Sequence, residues 1–179
     1  MIENGDEIVK KSLEENNVDC LITIGGEGTL SGSASMSQKG INIIGVPKTI
    51  DNDISATDVT FGFHTAVQIA TDALDRLHTT AESHDRVMVV EVMGRHAGWI
   101  ATYSGIAGGA DAVLVPEEPF EIDQVCDLIK RRHTRGSKFS IIVVAEGALP
   151  KEGTMKKIKY DVDEFGHQRL GGIGYHVAR

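Results

Sequence analysis

The sequence predicts an α/β fold, doubly wound, with mostly parallel sheets and helices on both faces in an α/β/α arrangement. Three observations predict it. Short apolar runs recur without the polar alternation of a half-exposed strand, as expected for strands covered on both faces. Segments with apolar residues at three- and four-residue steps lie between those runs. Glycine-bearing turns follow several runs at their carboxyl ends, where open α/β sheets place their ligands.

Residues 6–16 read as an amphipathic helix through Ile8, Val9 and Leu13. VDCLITI (18–24) predicts the first strand, with Cys20 inside it as a buried reduced thiol. A helix is expected to start near Thr29, followed by a strand at INIIGV (41–46). In 63–81 the apolar positions Ala66, Val67, Ala70, Ala73, Leu74, Leu77 and Ala81 mark one face of a long helix. Strands follow at VMVVEV (87–92), AVLV (112–115) and SIIVVA (140–145), with a helix over 121–132 through Ile122, Val125, Leu128 and Ile129. LGGIGYHVAR (170–179) begins a further helix. A boundary near Phe61–His64 divides the chain into lobes 1–62 and 63–179. Both lobes read as incomplete, because the first strand comes only after a helix and the last helix stops soon after it starts. The expectation is a piece of a longer polypeptide.

The 179 residues suffice for one full-sized domain or two small lobes with a core. A formal net charge of −8 argues against nucleic-acid or anionic-membrane binding, since either needs a broad basic field. It leaves room for a phosphorylated small molecule, which needs only a few placed cations. Cys20 and Cys126 are far apart and show no metal or redox spacing. The start of the sequence has no leader-like apolar region, and no apolar run approaches membrane length, so a cytoplasmic location is expected.

GGEGT (25–29) follows the first strand. Its glycines would let main-chain N–H groups approach phosphate oxygens, and the helix behind it would aim its dipole at the same place. Glu27 beside phosphates would need an intervening cation, which makes it a candidate magnesium ligand. A plain glycine turn with a solvated acid fits the pentapeptide equally well. PKTIDND (47–53) follows the second strand. It could be a simple Asx turn. Beside a phosphate loop, one of its carboxylates could instead orient a sugar hydroxyl and take its proton during phosphoryl transfer. MGRHAG (93–98) sits between a strand and a helix, where amides and Arg95 suit an anion, although an exposed helix-start arginine is the alternative.

GGEGT, PKTIDND, SHDRVMVVEVMGRHAG and VVAEGA occur in the order, and at about the spacing, of the phosphofructokinase family, which the chain resembles over nearly its whole length. The resemblance implies that Asp51 is the general base acting on the 1-hydroxyl of fructose 6-phosphate. Thr49 and Ile50 then line the sugar-phosphate site, while Met93, Gly94 and Arg95 contact the sugar and Arg95 also offsets transition-state charge. Glu146 corresponds to an acid that hydrogen-bonds sugar hydroxyls. Gly26, Glu27, Gly28 and Thr29 hold the nucleotide phosphates, with Glu27 and Asp53 serving Mg²⁺. Arg86 corresponds to an arginine that reaches a neighbouring subunit's site, which implies a homodimer or homotetramer. Its place before a strand, at the opposite sheet end, agrees with a role across an interface.

The resemblance separates ATP users from pyrophosphate users at two positions, which here disagree. Gly28 resembles the ATP type, since pyrophosphate enzymes carry aspartate there. Lys48 resembles the pyrophosphate type. Gly28 decides for ATP, as in a mixed bacterial subgroup, because an aspartate would fill space needed by the ATP α-phosphate. Glu27 stands where aspartate is commoner, keeping the charge with a longer reach. Other readings are pyrophosphate dependence, another kinase with a similar loop such as an NAD kinase, and a non-catalytic sugar-phosphate sensor or regulatory subunit. The family's opening glycine-rich phosphate loop is not present, and GHQRLGG (166–172) is not taken as the family's closing sugar motif, so His167 and Arg169 receive no role. Such a fragment is expected to be inactive alone.

Some features read as structural. PEEPF (116–120) is expected to be a turn whose acids precede a helix, and KRRHTRGSK (130–138) a solvated helix end. His78, His84 and His96 lack metal spacing, and Trp99 reads as packing.

Overall fold

The computed structural model describes residues 4–152 and 172–179. The chain divides into two compact units, Met1–Thr49 with Ile54–Gly62, and Ile50–Asp53 with Phe63–Arg179. GHQRLGG, apart from its last glycine, lies outside the described residues.

The first unit contains α1 (Gly5–Glu15), β1 (Leu21–Gly25), α2 (Glu27–Gln38), β2 (Ile43–Thr49) and β3 (Phe61–Gly62). Its three strands lie in the order β1-β2-β3, all parallel. Leu21 pairs with Ile43 and Gly25 with Pro47, so β1 and β2 end together. Helix α2 covers the face that carries Thr23 and Gly45. Ser33 Oγ donates to Thr23 Oγ1 at 2.8 Å, and Leu30 lies so close to Gly45 that a Cβ there would meet its Cδ2 at 2.8 Å.

The opposite face carries Ile22, Ile24 and Ile44, which are 61%, 63% and 55% exposed. Expected coverage on both faces is therefore not found for this sheet among the described residues. The apolar run is present, but no described helix packs over its isoleucines. Helix α1 likewise buries no residue, and Ile8 is exposed. Cys20 lies just before β1 and is half-buried, not buried within the strand.

The second unit has α3 (Phe63–Ser83), β4 (Val87–Val92), α4 (Trp99–Ala107), β5 (Ala112–Leu114), α5 (Ile122–Thr134), β6 (Ser140–Ala145) and α6 (Ile173–Val177). Its strands are parallel in the order β4-β6-β5. Every β6 residue is buried. The two-residue period of a strand explains how. Ile141, Val143 and Ala145 join Leu74 and Ala81 of α3 and Ala101 of α4, whereas Ile142 and Val144 join Val125 of α5, Phe120, Ala148 and Ile173 of α6. Glu91 is the one acid of β4; its carboxylate accepts the N–H groups of Gly172 and Gly174, which fixes the start of α6 on the strand.

At the amino end of β6, Arg132 pairs with Asp111 at 2.8 Å and donates to Ser137 and Ser140. The cations at the end of α5 are thus not all solvated: Arg132 is spent on this network. Trp99 packs against Tyr103 with ring centroids 6.0 Å apart yet remains 43% exposed. No helix among the described residues is long and apolar enough to cross a membrane.

Candidate functional site

In the first unit, the parallel register brings the residues after β1 beside the end of β2. A Cβ on Gly26 would lie 3.8 Å from Thr49 Cβ and 3.9 Å from the Lys48 carbonyl oxygen. Gly26, Glu27, Gly28 and Thr29 thus share one sheet edge with Lys48 and Thr49. Helix α2 begins at Glu27, with Gly26 as its N-cap, and not near Thr29 as expected. Glu27 therefore occupies the first helical position, where a carboxylate is favoured by the macrodipole even without a ligand.

The glycines differ in cause. A Cβ on Gly25 would strike Thr29 Oγ1 at 2.3 Å, so packing of the following turn alone requires glycine there. Gly28 has nothing within 4 Å of where its Cβ would stand. The fold itself does not demand a glycine at 28.

In the second unit, Val92 and Ala145 form the last pair of β4 and β6. The chains then continue side by side: Glu146 N–H donates to the Val92 carbonyl at 2.8 Å, and Gly147 N–H to the Gly94 carbonyl at 3.0 Å. Met93, Gly94, Arg95 and Glu146 are in this way placed at one edge. Met93 is exposed, while Arg95 and Glu146 are half-buried. Ile50, Asp51 and Asp53 belong to the same compact unit. Asn52 between the aspartates has φ 55°, a left-handed conformation that asparagine tolerates better than most residues. Arg86 lies exposed at the other end of β4, where its carbonyl accepts the Ser140 N–H.

Sequence reasoning missed Glu117. PEEPF was expected to place its acids before α5, yet Glu117 Oε1 accepts the N–H of Gly98, the N-cap of α4, at 2.9 Å. That amide is consequently not open to a ligand anion. The available signal was positional, since Glu117 follows β5 at the edge where Met93–Arg95 and Glu146 emerge.

Among the described residues no group of three or more His, Cys, Asp or Glu side chains is gathered as a metal site. Glu27 and Asp53 are single exposed carboxylates. Each by itself is the kind of hard oxygen donor that Mg²⁺ takes, completing its shell with phosphate oxygens and water.

The family profile described as Phosphofructokinase matches residues 2–176. An ATP-dependent 6-phosphofructokinase of Corynebacterium efficiens is 58% identical over 97% of this chain and 50% of its own length. A pyrophosphate–fructose 6-phosphate 1-phosphotransferase of Amycolatopsis mediterranei is also 58% identical, over 99% of this chain and 52% of its own. The chain spans about half the length of the curated relatives it matches. Among solved structures, phosphofructokinase from Saccharomyces cerevisiae superposes with a TM-score of 0.73 at 33% identity, covering 82% of this chain and 23% of that one. A pyrophosphate-dependent phosphofructokinase from Nitrosospira multiformis superposes with a TM-score of 0.75 at 26% identity, covering 84% of this chain and 42% of that one.

Proposed function

This chain belongs to the phosphofructokinase family, and from that premise we propose that it forms part of an ATP-dependent 6-phosphofructokinase. The observation that carries the proposal is the convergence, at one edge of the second sheet, of Met93, Gly94, Arg95 and Glu146. Those are the positions that match the family's sugar-binding motifs, and Asp51 belongs to the same unit.

In this reading the Asp51 carboxylate orients the 1-hydroxyl of fructose 6-phosphate and takes its proton as that oxygen bonds to the γ-phosphorus. The bond from the γ-phosphorus to the β,γ-bridging oxygen breaks, and ADP leaves. A carboxylate of ordinary basicity suffices, because the transition state is loose and the hydroxyl acidifies only late. Arg95 offsets charge on the transferring group. Thr49, Ile50, Met93, Gly94 and Glu146 hold the sugar phosphate, and Gly26, Glu27, Gly28 and Thr29 hold the donor. Mg²⁺, when bound, neutralises phosphoryl oxygens, with Glu27 and Asp53 as its carboxylates. Arg86 serves a neighbouring subunit's sugar phosphate in a cytoplasmic homodimer or homotetramer.

Identity does not choose the donor, since relatives at the same 58% carry both names. Gly28 favours ATP. Among the described residues nothing lies within 4 Å of its Cβ position, so the local fold leaves room for an aspartate, which would extend toward whatever binds there. Lys48 is exposed at the end of β2 and can serve either donor.

The test is a coupled assay on the complete natural polypeptide with fructose 6-phosphate and each donor. Expected are turnover with ATP, and a fall of roughly 10²- to 10⁴-fold in kcat for Asp51→Ala. A fall below about tenfold removes Asp51 from the role. Pyrophosphate outperforming ATP overturns the donor assignment, and Gly28→Asp is expected to move preference toward pyrophosphate. The 179-residue chain assayed by itself is expected to be inactive.

A further inference from the structure

The loop that carries Met93, Gly94 and Arg95 runs from the end of β4 to Gly98, the N-cap of α4. Main chain from beyond β6 holds its first half, through the bonds from Glu146 to Val92 and from Gly147 to Gly94. The approach is close enough that a Cβ on Gly147 would come within 2.0 Å of the Arg95 carbonyl oxygen. The second half is gripped from the third strand. Beyond β5, Glu117 Oε1 accepts the Gly98 N–H at 2.9 Å. A Cβ on Gly98 would meet Val115 Cγ1 at 2.5 Å and Glu117 Oε2 at 3.0 Å, so both side chains press against that glycine.

We propose that Glu117 is a positioning residue for the sugar-phosphate site, acting through Gly98 to fix where Arg95 stands; this rests on the functional reading above. Strand order makes the contact consequential. β4 and β5 flank β6, so the bond from Glu117 to Gly98 joins the loops of the two outer strands across the middle one. The continuation of that middle strand carries Glu146. The carboxylate therefore ties the end of β5 to the β4 loop carrying Arg95, which main-chain bonds already join to the β6 continuation carrying Glu146. Glu117 is exposed and contributes nothing to the apolar core, so packing does not explain an acid there. Its charge also occupies the positive end of α4, which leaves Arg95 to meet an incoming phosphosugar.

Kinetics of the complete natural polypeptide test the proposal with Glu117→Ala and Glu117→Gln. Glutamine keeps an acceptor oxygen for Gly98, and alanine removes it. Expected for alanine is a rise of about tenfold or more in KM for fructose 6-phosphate, with KM for ATP unchanged within about twofold. Glutamine should restore the sugar KM to within about threefold of wild type. Amide exchange across 93–101 should quicken in the alanine variant alone. A sugar KM unchanged by alanine, a glutamine variant as impaired as alanine, or both KM values rising together would overturn the proposal. If the wild-type enzyme fails to phosphorylate fructose 6-phosphate, the functional reading falls by itself. The exchange comparison then still decides whether Glu117 holds the loop, and equal exchange in all three proteins refutes it.

Discussion

The two sheets are built from similar apolar runs and end in opposite states. In β6, Ser140 to Ala145 are all buried, with α3 and α4 packed on one side and α5 and α6 on the other. In β1 and β2, Ile22, Ile24 and Ile44 share an open face while α2 covers Thr23 and Gly45. Full burial of an isoleucine contributes about 1.5–3 kcal/mol. Among the described residues, the first sheet therefore has several kcal/mol less apolar burial than the second. A continuous apolar run announces a strand; how many of its faces are covered depends on the helices that pack there.

The largest expected effect tests that contrast directly. Ile142→Ala should destabilise this chain by about 2–5 kcal/mol, because the cavity opens between packed layers. Ile24→Ala, at a position 63% exposed, should cost no more than about 0.5 kcal/mol. Denaturant unfolding of both variants measures the difference. Equal costs would break the comparison. A cost for Ile24→Ala that shrinks on dilution would instead show two copies of the chain covering each other's open face.

The same contrast marks what could be read from the sequence. VMVVEV and SIIVVA each coincide with an observed strand, β4 and β6, since each is a short, nearly continuous apolar run rich in β-branched residues. The placement of Met93–Arg95 and Glu146 at one edge follows from two parallel strands ending together. β3 was not legible: two residues carry no periodicity, and Phe61–Gly62 form a strand only by pairing with Lys48 and Thr49. The start of α2 was missed because glycines disfavour helix interiors, although Gly26 serves well as an N-cap. Glu117 could not be assigned to Gly98, because nothing local foretells a contact across nineteen residues.

An intermediate effect would sharpen the account of the second sheet. Its amino end is held by polar contacts, with Arg132 bonded to Asp111, Ser137 and Ser140 and the Asp111 carboxylate also accepting the Ile141 N–H. Arg132→Met keeps the apolar stem of the side chain and removes every donor. Thermal unfolding should show a loss of about 1–3 kcal/mol, the cost of leaving partly buried acceptors unmatched. A neutral outcome would mean that water replaces the guanidinium there, and that apolar coverage alone distinguishes the two sheets.

The smallest expected effect concerns the exposed pair of Lys151 and Glu121, where the second unit's last described loop crosses the start of α5. Their hydrogen bond, followed by direct charge attraction, holds the Glu121 carboxyl below its ordinary range and the Lys151 ammonium above its own. The depressed acid contributes stability above its unfolded pKa, and that contribution is lost as pH falls through the folded value. The raised base contributes below its unfolded pKa, and that contribution is lost as pH rises through the folded value. The difference between wild type and Lys151→Met should therefore be flat through neutrality and vanish at both extremes. It should be small, as exposed pairs are, and smaller still in about 1 M salt, where the Debye length is about 3 Å. A difference that persists in acid would have another origin: the lysine stem packing along the loop, which makes even this edge of the second unit an apolar contact that the first unit's open face lacks.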